Sequence, residues 1–314
     1  MKTLLWLLAT LIVLSGCEST DKTAQQAEEA NKVPVEQMIT MAGHYEKGGE
    51  YEKALVYYLK ALEESPEDIQ LAYRVAELHK QMGKPEYALH MLQRVIASDP
   101  SHTEALTEAA MIYLENKDVA RATDYFLKVR ALDQKRLRET TARKTGFVSL
   151  DNASPVDAYN GLGVAYDLNG RYKQAQEMYA LCLELKPHAP VILTNVGYSF
   201  YLAGQYSDAI TYFQQAIELN PGHKRSWSNL GLVYTRMGRY NKAFQTLKRV
   251  MNDAQAYNDL GYFLMLESRY EEAEYFFEKA INASPKYYKV AYENLSDVRH
   301  QRALAEGGDI SMMP

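Results

Sequence analysis

The stretch PVILTNVGYSFYLAGQYSDAITYFQQAIELNPGH, residues 190–223, decides the fold of this 314-residue chain. It predicts two antiparallel helices, with Gly204 ending the first and Pro221 following the second. Gly197 in the first helix and Ala209 in the second lack bulk, so the two helices can approach each other closely. Larger side chains are expected to fill the seam between them: Leu193, Phe200 and Phe213.

The same pattern recurs along the chain at intervals of about 34 residues. In each copy a small residue of the first helix precedes an alanine of the second. These pairs are Ala42 and Ala54, Ala76 and Ala88, Ala110 and Ala122, Gly163 and Ala175, Gly197 and Ala209, Gly231 and Ala243, and Gly261 and Ala273. In period and position the copies resemble the tetratricopeptide repeat. The resemblance implies an all-α, right-handed superhelix (α-solenoid) of about seven helix pairs, with a concave groove lined by the first helices.

The repeats fall into two groups, three over residues 35–134 and four over residues 156–287. The third copy is degraded, since Lys117 stands where glycine is expected, and the sixth copy is cut short. A capping helix is predicted over residues 288–303, followed by a flexible tail over residues 304–314. One face of the cap carries the side chains expected to close the array: Tyr288, Ala291, Tyr292, Leu295 and Val298.

Residues 135–155 interrupt the repeats as a basic linker. Two interpretations remain open. In the favoured one, the second helix of the third repeat is extended and followed by a loop, and the charges are solvated. In the other, the segment is a hinge or an anion-facing patch that divides the array. The basic residues concerned are Lys135, Arg136, Arg138, Arg143 and Lys144.

The N-terminus predicts export. Residues 1–16 have the form of a signal peptide, in which Lys2 precedes an apolar run that is well short of the roughly 20 residues needed to span a bilayer. Residues 14–17, Leu-Ser-Gly-Cys, resemble the lipobox of bacterial lipoproteins, which implies lipidation of Cys17. An ordinary secretory signal with a coincidental cysteine is the alternative.

The residues after Cys17 bear on location. Glu18 stands where an aspartate tends to hold enteric lipoproteins in the inner membrane. The resemblance therefore implies a lipid anchor in the inner leaflet of the outer membrane of a Gram-negative bacterium, facing the periplasm. Residues 17–34 begin with the lipidated cysteine. The rest of this range is mostly polar and contains no aromatic residue, so it predicts a flexible tether.

Composition argues for a binding protein and against catalysis. The net formal charge of −5 offers no basic face for nucleic acid. The seven histidines are scattered, and no metal-ligand cluster, phosphate loop or nucleophile elbow appears. We therefore expect no enzyme activity, no catalytic residue, no cofactor, no metal and no small-molecule substrate. Cys182 is predicted to be a small core residue.

The first helices of the later repeats predict an aromatic, uncharged groove. The partner-binding residues we select are Tyr198, Tyr201, Leu232, Asn258 and Tyr262. Tyrosine suits this task because its ring adds apolar area while its hydroxyl bonds to backbone groups. The alternative is that some of these tyrosines pack between neighbouring repeats. We expect the same surface to include Thr194, Ser228, Thr235 and Met265.

A lipobox followed by these repeats resembles the TadD-type lipoproteins of Tad/Flp pilus assembly. The similarity is specific over residues 159–171 and 195–204, where Asp167 and Ser199 are not demanded by the repeat pattern itself. The resemblance implies an outer-membrane-anchored scaffold for the Flp (type IVb) pilus apparatus, with the pilus secretin or another Tad component as partner. The alternatives are a PilF/PilW-type pilotin for a type IV pilus secretin and a cell-wall-associated binding module.

Overall fold

The computed structural model describes residues 33–141 and 147–307. These residues form fifteen α-helices and no β-strand. Fourteen helices form seven consecutive pairs and the last stands alone, so the predicted all-α stack of helix pairs with a cap is confirmed. Contacts divide the chain into two compact units, Met1–Pro100 and Ser101–Pro314. The division falls at Pro100 and not at the basic segment 135–155.

The first unit contains two helix pairs. Its helices are α1 (Val35–Lys47), α2 (Tyr51–Glu64), α3 (Ile69–Gln81) and α4 (Pro85–Ser98). Within each pair the small residue and the alanine are buried, and the core consists mainly of Ala42, Ala54, Ala61, Ala76, Ala88, Leu92 and Val95.

A polar contact links the two pairs of the first unit. Arg74 on α3 forms ion pairs with Glu46 on α1 at 2.6 Å and with Glu77 on its own helix at 2.8 Å. The Tyr58 hydroxyl on α2 donates to the same Glu46 carboxylate at 3.0 Å. Because Glu46 serves both pairs, it holds them in one register.

The second unit contains five helix pairs and the terminal helix. Its helices are α5 (Thr103–Glu115), α6 (Val119–Thr140), α7 (Val156–Leu168), α8 (Tyr172–Leu185), α9 (Pro190–Leu202), α10 (Tyr206–Leu219), α11 (Lys224–Arg236), α12 (Tyr240–Leu247), α13 (Asp253–Leu266), α14 (Tyr270–Ala283) and α15 (Lys289–Ala305). A continuous apolar core runs from α9 and α10 to α15.

The turns inside the pairs share one backbone conformation. Five of them carry a glycine with a positive φ, among them Gly204 at 76°. Lys117 and Ser268 take the equivalent place in the third and seventh pairs, with φ of 61° and 58°. Side chains other than glycine adopt this left-handed region at a cost. The degraded third repeat therefore keeps the turn geometry without the glycine.

The sixth pair is shortened in its second helix. α12 spans eight residues, whereas α8, α10 and α14 span 14 each. Asn252 then starts α13 with a capping box, in which its side chain accepts from the Gln255 backbone and the Gln255 side chain accepts from the Asn252 backbone. This cap replaces the proline that normally leads into the next repeat.

The segment after the third pair is part of the packed structure where it is described. α6 extends 22 residues to Thr140, beyond the ordinary end of a second helix. The expected solvation of its charges is wrong for Arg136, which pairs with Asp133 at 2.6 Å and with Asp151 at 2.7 Å. The expectations for Arg143 and Lys144 lie outside the described residues.

The terminal helix α15 covers the last pair. Ala291, Leu295 and Val298 are buried as expected of a cap. Tyr292 differs from the expectation, since it is 42% exposed and stacks on Tyr287 with 4.9 Å between ring centroids. Ion pairs from Arg299 and Arg302 to Glu274 fix the helix to α14: these measure 2.6 and 2.7 Å.

The predicted signal peptide, Cys17, nearly all of the tether and the end of the tail lie outside the described residues. Between residues 33 and 307, leaving aside 142–146, no helix is long and apolar enough to cross a bilayer.

The close approach inside each pair makes a first prediction. A Cβ atom at Gly197 would lie 2.7 Å from Cε1 of the fully buried Phe213. Gly197→Ala is expected to destabilise the second unit by about 1–3 kcal/mol, because the ring has no free space to move into. Urea denaturation followed by circular dichroism measures the change.

The matched control is Gly43→Ala, where a Cβ would meet only the Tyr58 hydroxyl oxygen at 3.7 Å. This change is expected to stabilise α1 by about 0.5–1 kcal/mol, since alanine favours a helix interior over glycine. Equal effects of the two substitutions would contradict the packing argument.

Candidate binding groove

The first helices of the later pairs lie side by side in the second unit. α7 contacts α9, α9 contacts α11, α11 contacts α13, and α13 contacts α15. In each of α7, α9, α11 and α13, one residue follows directly in sequence after the glycine that faces the partner helix. We call this set the apolar stripe: Val164, Tyr198, Leu232 and Tyr262.

The apolar stripe is accessible along its length. Val164, Tyr198 and Leu232 are half-buried, and Tyr262 is 43% exposed. Tyr198 also packs against the apolar core of the last three pairs, so part of its ring serves packing. The structure thus places three of the five selected partner-binding residues in one row, Tyr198, Leu232 and Tyr262, and their role in binding stays a prediction.

Tyr201 occupies a different environment from the stripe. It is half-buried, with its ring centroid 5.7 Å from that of Tyr198 and 6.0 Å from that of Tyr206. Burial, and secondarily the nearby Glu267 carboxylate, raises the pKa of its hydroxyl to about 12. Tyr201 therefore packs against neighbouring tyrosines and leaves only part of its ring accessible.

Sequence reasoning missed most of a second row, which we call the amide row. It contains one asparagine from each first helix of the last four pairs and one from the cap: Asn160, Asn195, Asn229, Asn258 and Asn294. The signal was available, because these asparagines recur about one repeat apart. Only Asn258 was selected.

Hydrogen bonds join the amide row in pairs. The Asn195 amide nitrogen donates to the Asn160 side-chain oxygen at 2.9 Å, and that of Asn294 donates to Asn258 at 3.0 Å. The side-chain oxygen of Asn195 and the amide nitrogen of Asn229 are buried without a hydrogen-bond partner among the described residues. Asn195 as a whole is only 4% exposed. Such unpaired buried amide atoms are costly to the folded state.

Three residues expected in the groove are instead buried. Thr194 and Thr235 are fully buried, and Met265 is 9% exposed. Threonine hydroxyls can bond to the carbonyl four residues earlier in their own helix. Thr194 does so to Pro190 at 2.6 Å and also meets Ser226 on α11 at 2.7 Å. The expectation failed because periodicity gives a residue's place on a helix but not the hydrogen bonds of its side chain.

One edge of the groove carries a charge network at the turn ends of the helices. Arg236 pairs with Glu267 at 2.9 Å, and Arg269 approaches the same carboxylate at 3.6 Å. Arg236 also donates to the Tyr206 hydroxyl at 3.3 Å. These charges are therefore paired with each other.

A buried carboxylate lies between the fourth and fifth pairs. Asp167 accepts hydrogen bonds from Ser199 at 2.6 Å and from Tyr179 at 2.9 Å. Burial raises its pKa to about 6, although the two hydrogen bonds act in the opposite direction. Asp167 and Ser199, the two residues that the repeat pattern did not demand, therefore join neighbouring repeats directly.

The described residues show no arrangement suited to metal chemistry, since three or more His, Cys, Asp or Glu side chains nowhere converge among them. Cys182 is fully buried, and burial raises the pKa of its thiol to about 12. A thiol that stays protonated inside the core is a poor nucleophile.

Comparison with known families finds helical repeats. A tetratricopeptide-repeat profile matches residues 200–260, and another matches residues 156–188 and 254–287. A profile described as the ARM repeat of tetratricopeptide repeat protein 21 matches residues 5–126. These matches cover parts of both compact units.

Curated relatives share only a fraction of their length with this chain. The general transcriptional corepressor trfA of Dictyostelium discoideum is 24% identical over 147 residues, which is 47% of this chain and 9% of trfA. The corepressor ssn6 of Schizosaccharomyces pombe is 23% identical over 137 residues, or 44% of this chain and 11% of ssn6. The chain thus spans about a tenth of each relative.

Solved structures with a similar fold cover most of the chain. A tetratricopeptide repeat protein from Parabacteroides merdae has a TM-score of 0.61 at 16% identity, over 84% of this chain and 98% of its own. PilW, a type IV pilus biogenesis factor, has a TM-score of 0.52 at 18% identity, over 77% and 97%. Pseudomonas aeruginosa pilF has a TM-score of 0.51 at 19% identity, and the match covers 77% of this chain and 96% of pilF. At these identities the likeness concerns the fold.

The buried carboxylate predicts a pH dependence. Because the pKa of Asp167 is about 6 in the folded chain and 3.8 ordinarily, the folded state binds the extra proton between these values. The protonated Asp167 carboxyl contributes at most about 3 kcal/mol to folding stability, and this contribution is full below about pH 4. It is lost as the pH rises through about 6. Asp167→Asn removes this loss, so the variant should gain stability relative to the parent between about pH 4 and pH 7.

Urea denaturation of the parent and of Asp167→Asn, at about pH 4 and about pH 7, measures the difference. Exposed Asp208→Asn is the control for charge removal in the same unit. If the stability of the Asp167 variant relative to the parent is the same at both pH values, the carboxylate does not titrate as described.

Proposed function

Because the chain is a tetratricopeptide-repeat protein, we propose that it is a protein-binding scaffold whose groove in residues 156–305 holds an extended, uncharged segment of a partner. The observation that carries this proposal is the accessible apolar stripe, with the half-buried asparagines of the amide row on the same helices. The proposed activity is binding without turnover.

The two rows divide the work of recognition. An asparagine side chain offers one acceptor and one amide donor group, which match the N–H and C=O groups of an extended backbone. Asn160, Asn229 and Asn294 are half-buried, so part of each of these residues stays accessible to a partner. The stripe adds apolar area through Tyr198, Leu232 and Tyr262, where aromatic rings dominate the energy of peptide interfaces. We infer that the amide row binds the partner's backbone while the stripe selects its side chains.

We further propose a cellular setting. Lipidation of Cys17 would hold the scaffold in the inner leaflet of the outer membrane, facing the periplasm. The partner would be the pilus secretin or another component of the Tad/Flp assembly system. Support comes from the lipobox-like residues 14–17 and from the TadD-like residues 159–171. The fold shared with PilW, whose described role is type IV pilus biogenesis, is compatible with this setting.

The groove proposal predicts loss of binding when the stripe is truncated. In the triple variant Tyr198→Ala, Leu232→Ala and Tyr262→Ala, affinity for the partner segment should fall roughly 10- to 30-fold or more. Overlapping peptides from the periplasmic sequences of the pilus secretin and the other Tad components serve as probes, with affinity measured by fluorescence anisotropy.

The matched control for this experiment is Tyr275→Ala. Tyr275 is 53% exposed on α14, a second helix of the same unit. Its removal should leave peptide affinity unchanged. Asn195→Asp tests the amide row separately, since it replaces the amide group by a carboxylate of the same shape. Unchanged binding by the triple variant at intact thermal stability would overturn the groove proposal.

The membrane proposal makes an independent prediction. Cys17→Ser should abolish incorporation of an alkyne-labelled fatty acid and move the chain from the outer-membrane fraction to the soluble periplasm. Cys182→Ala is the control, because it removes the chain's other cysteine and should leave both readouts unchanged. Outer-membrane retention of Cys17→Ser without label would contradict lipid anchoring and leave the groove proposal intact.

A further inference from the structure

A cavity of about 440 Å³ lies beside α6, and none of its lining residues belongs to the first helices that form the apolar stripe. Its lining comes from one face of α6 and from Phe147. The residues concerned are Leu127, Arg130, Ala131, Gln134, Arg138 and Phe147. The five helical residues recur at the three- and four-residue spacing of one helix face, so they present a continuous wall.

Phe147 forms the wall of the cavity opposite α6, and the side chain of Gln134 fixes the position of the residue next to it, Val148. The amide nitrogen of Gln134 donates to the Val148 carbonyl at 2.9 Å, and its side-chain oxygen accepts from the Val148 N–H at 2.9 Å. Gln134 is 5% exposed, so these bonds are shielded from water. Val148 is thereby held against α6, which positions the neighbouring Phe147 over the cavity. The amide nitrogen also reaches the Tyr159 hydroxyl at 3.3 Å.

The charges around this cavity are unevenly neutralised. Arg136, on another face of α6, pairs with both Asp133 and Asp151, and the pKa of Asp151 falls to about 2 through its hydrogen bonds from Arg136. Arg130 and Arg138 line the cavity and have no carboxylate partner within the described residues. Both are half-buried.

Arg130 also meets an aromatic wall. Its guanidinium carbon stands 5.8 Å from the centroid of the Phe147 ring, which is itself 40% exposed. Leu127 adds a second accessible apolar side chain, at 37% exposure. Unpaired guanidinium groups therefore border an apolar surface. A half-buried cation without a partner is unfavourable, and an anion supplied from outside relieves that cost.

We propose that this cavity binds a small anionic amphiphile, a single carboxylate or phosphate group joined to a short apolar chain. The anion pairs with the Arg130 and Arg138 guanidinium groups, and the apolar chain lies against Leu127, Ala131 and Phe147. The volume falls at the lower end of the range of about 300–1,000 Å³ that small-molecule sites occupy. The site is separate from the groove and does not depend on the groove's function.

The test uses the full chain and three soluble probes. Octanoate carries the charge and the apolar chain, 1-octanol carries the chain alone, and acetate carries the charge alone. Octanoate is expected to bind most tightly and to shift the backbone amide resonances of residues 127–138 in ¹⁵N-labelled protein. Octyl phosphate distinguishes the sources, since tighter binding than octanoate assigns a phosphate headgroup and weaker binding assigns a fatty acid.

Two double variants then separate the cavity from general surface charge. Arg130→Gln with Arg138→Gln should weaken octanoate about tenfold for each arginine removed. Lys128→Gln with Lys135→Gln removes two exposed cations from the same helix outside the cavity, and should leave the affinity unchanged. Phe147→Ala should weaken octanoate but not acetate.

Thermal unfolding of each variant checks that α6 remains folded. Equal affinity of the parent and the arginine variant for octanoate would overturn the proposal. Equal affinity of the parent for octanoate and acetate would overturn it as well, because the apolar wall would then have no role.

Discussion

The second unit depends on the close approach of the two helices inside each pair. At Gly163, Gly197 and Gly261 an added Cβ would lie within 2.5–2.7 Å of the ring of Tyr179, Phe213 or Phe277. The absence of a side chain on one helix is thus what admits a buried ring from the other. Because this fit fixes the rotation of the first helix about its axis, it also fixes which residue faces away from its partner. The same rotation determines the direction of each residue of the apolar stripe, since that residue comes directly after the glycine in sequence.

Contacts between pairs combine apolar packing with side-chain hydrogen bonds. Asp167 with Ser199, Thr194 with Ser226, and Asn195 with Asn160 all join one pair to the next. Hydrogen bonds have directional geometry, so they restrict the sliding that a purely apolar interface between helices would tolerate. These polar residues are nearly all buried, so they serve the packing of one pair on the next.

Much of the fold could be predicted because it rests on residue size at fixed intervals. The small residues, the buried rings and the shortened sixth copy are visible in the sequence, and so is the cap. The turn at Lys117 shows the limit of prediction from residue size. Lys117 adopts the positive φ of the other turns although it is not a glycine. The groove was predicted in part. Tyr198, Leu232 and Tyr262 form a row, but Thr235 turns into its own helix, and no periodic rule shows which asparagine atoms are left unpaired. The repeat pattern also does not predict the two hydrogen bonds between the Gln134 side chain and Val148.

The left-handed residues Lys117 and Ser268 lie in the first and last helix pairs of the second unit. Each such residue costs roughly 1–2 kcal/mol relative to a glycine at the same place. In a linear stack, stability is close to a sum of local terms, so unfolding begins where those terms are smallest. The last pair, which carries Asn258 and Tyr262, is therefore poised to fray before the middle of the unit. If a partner binds Tyr262 as proposed, it would suppress that fraying, and binding would be thermodynamically linked to order at the end of the stack.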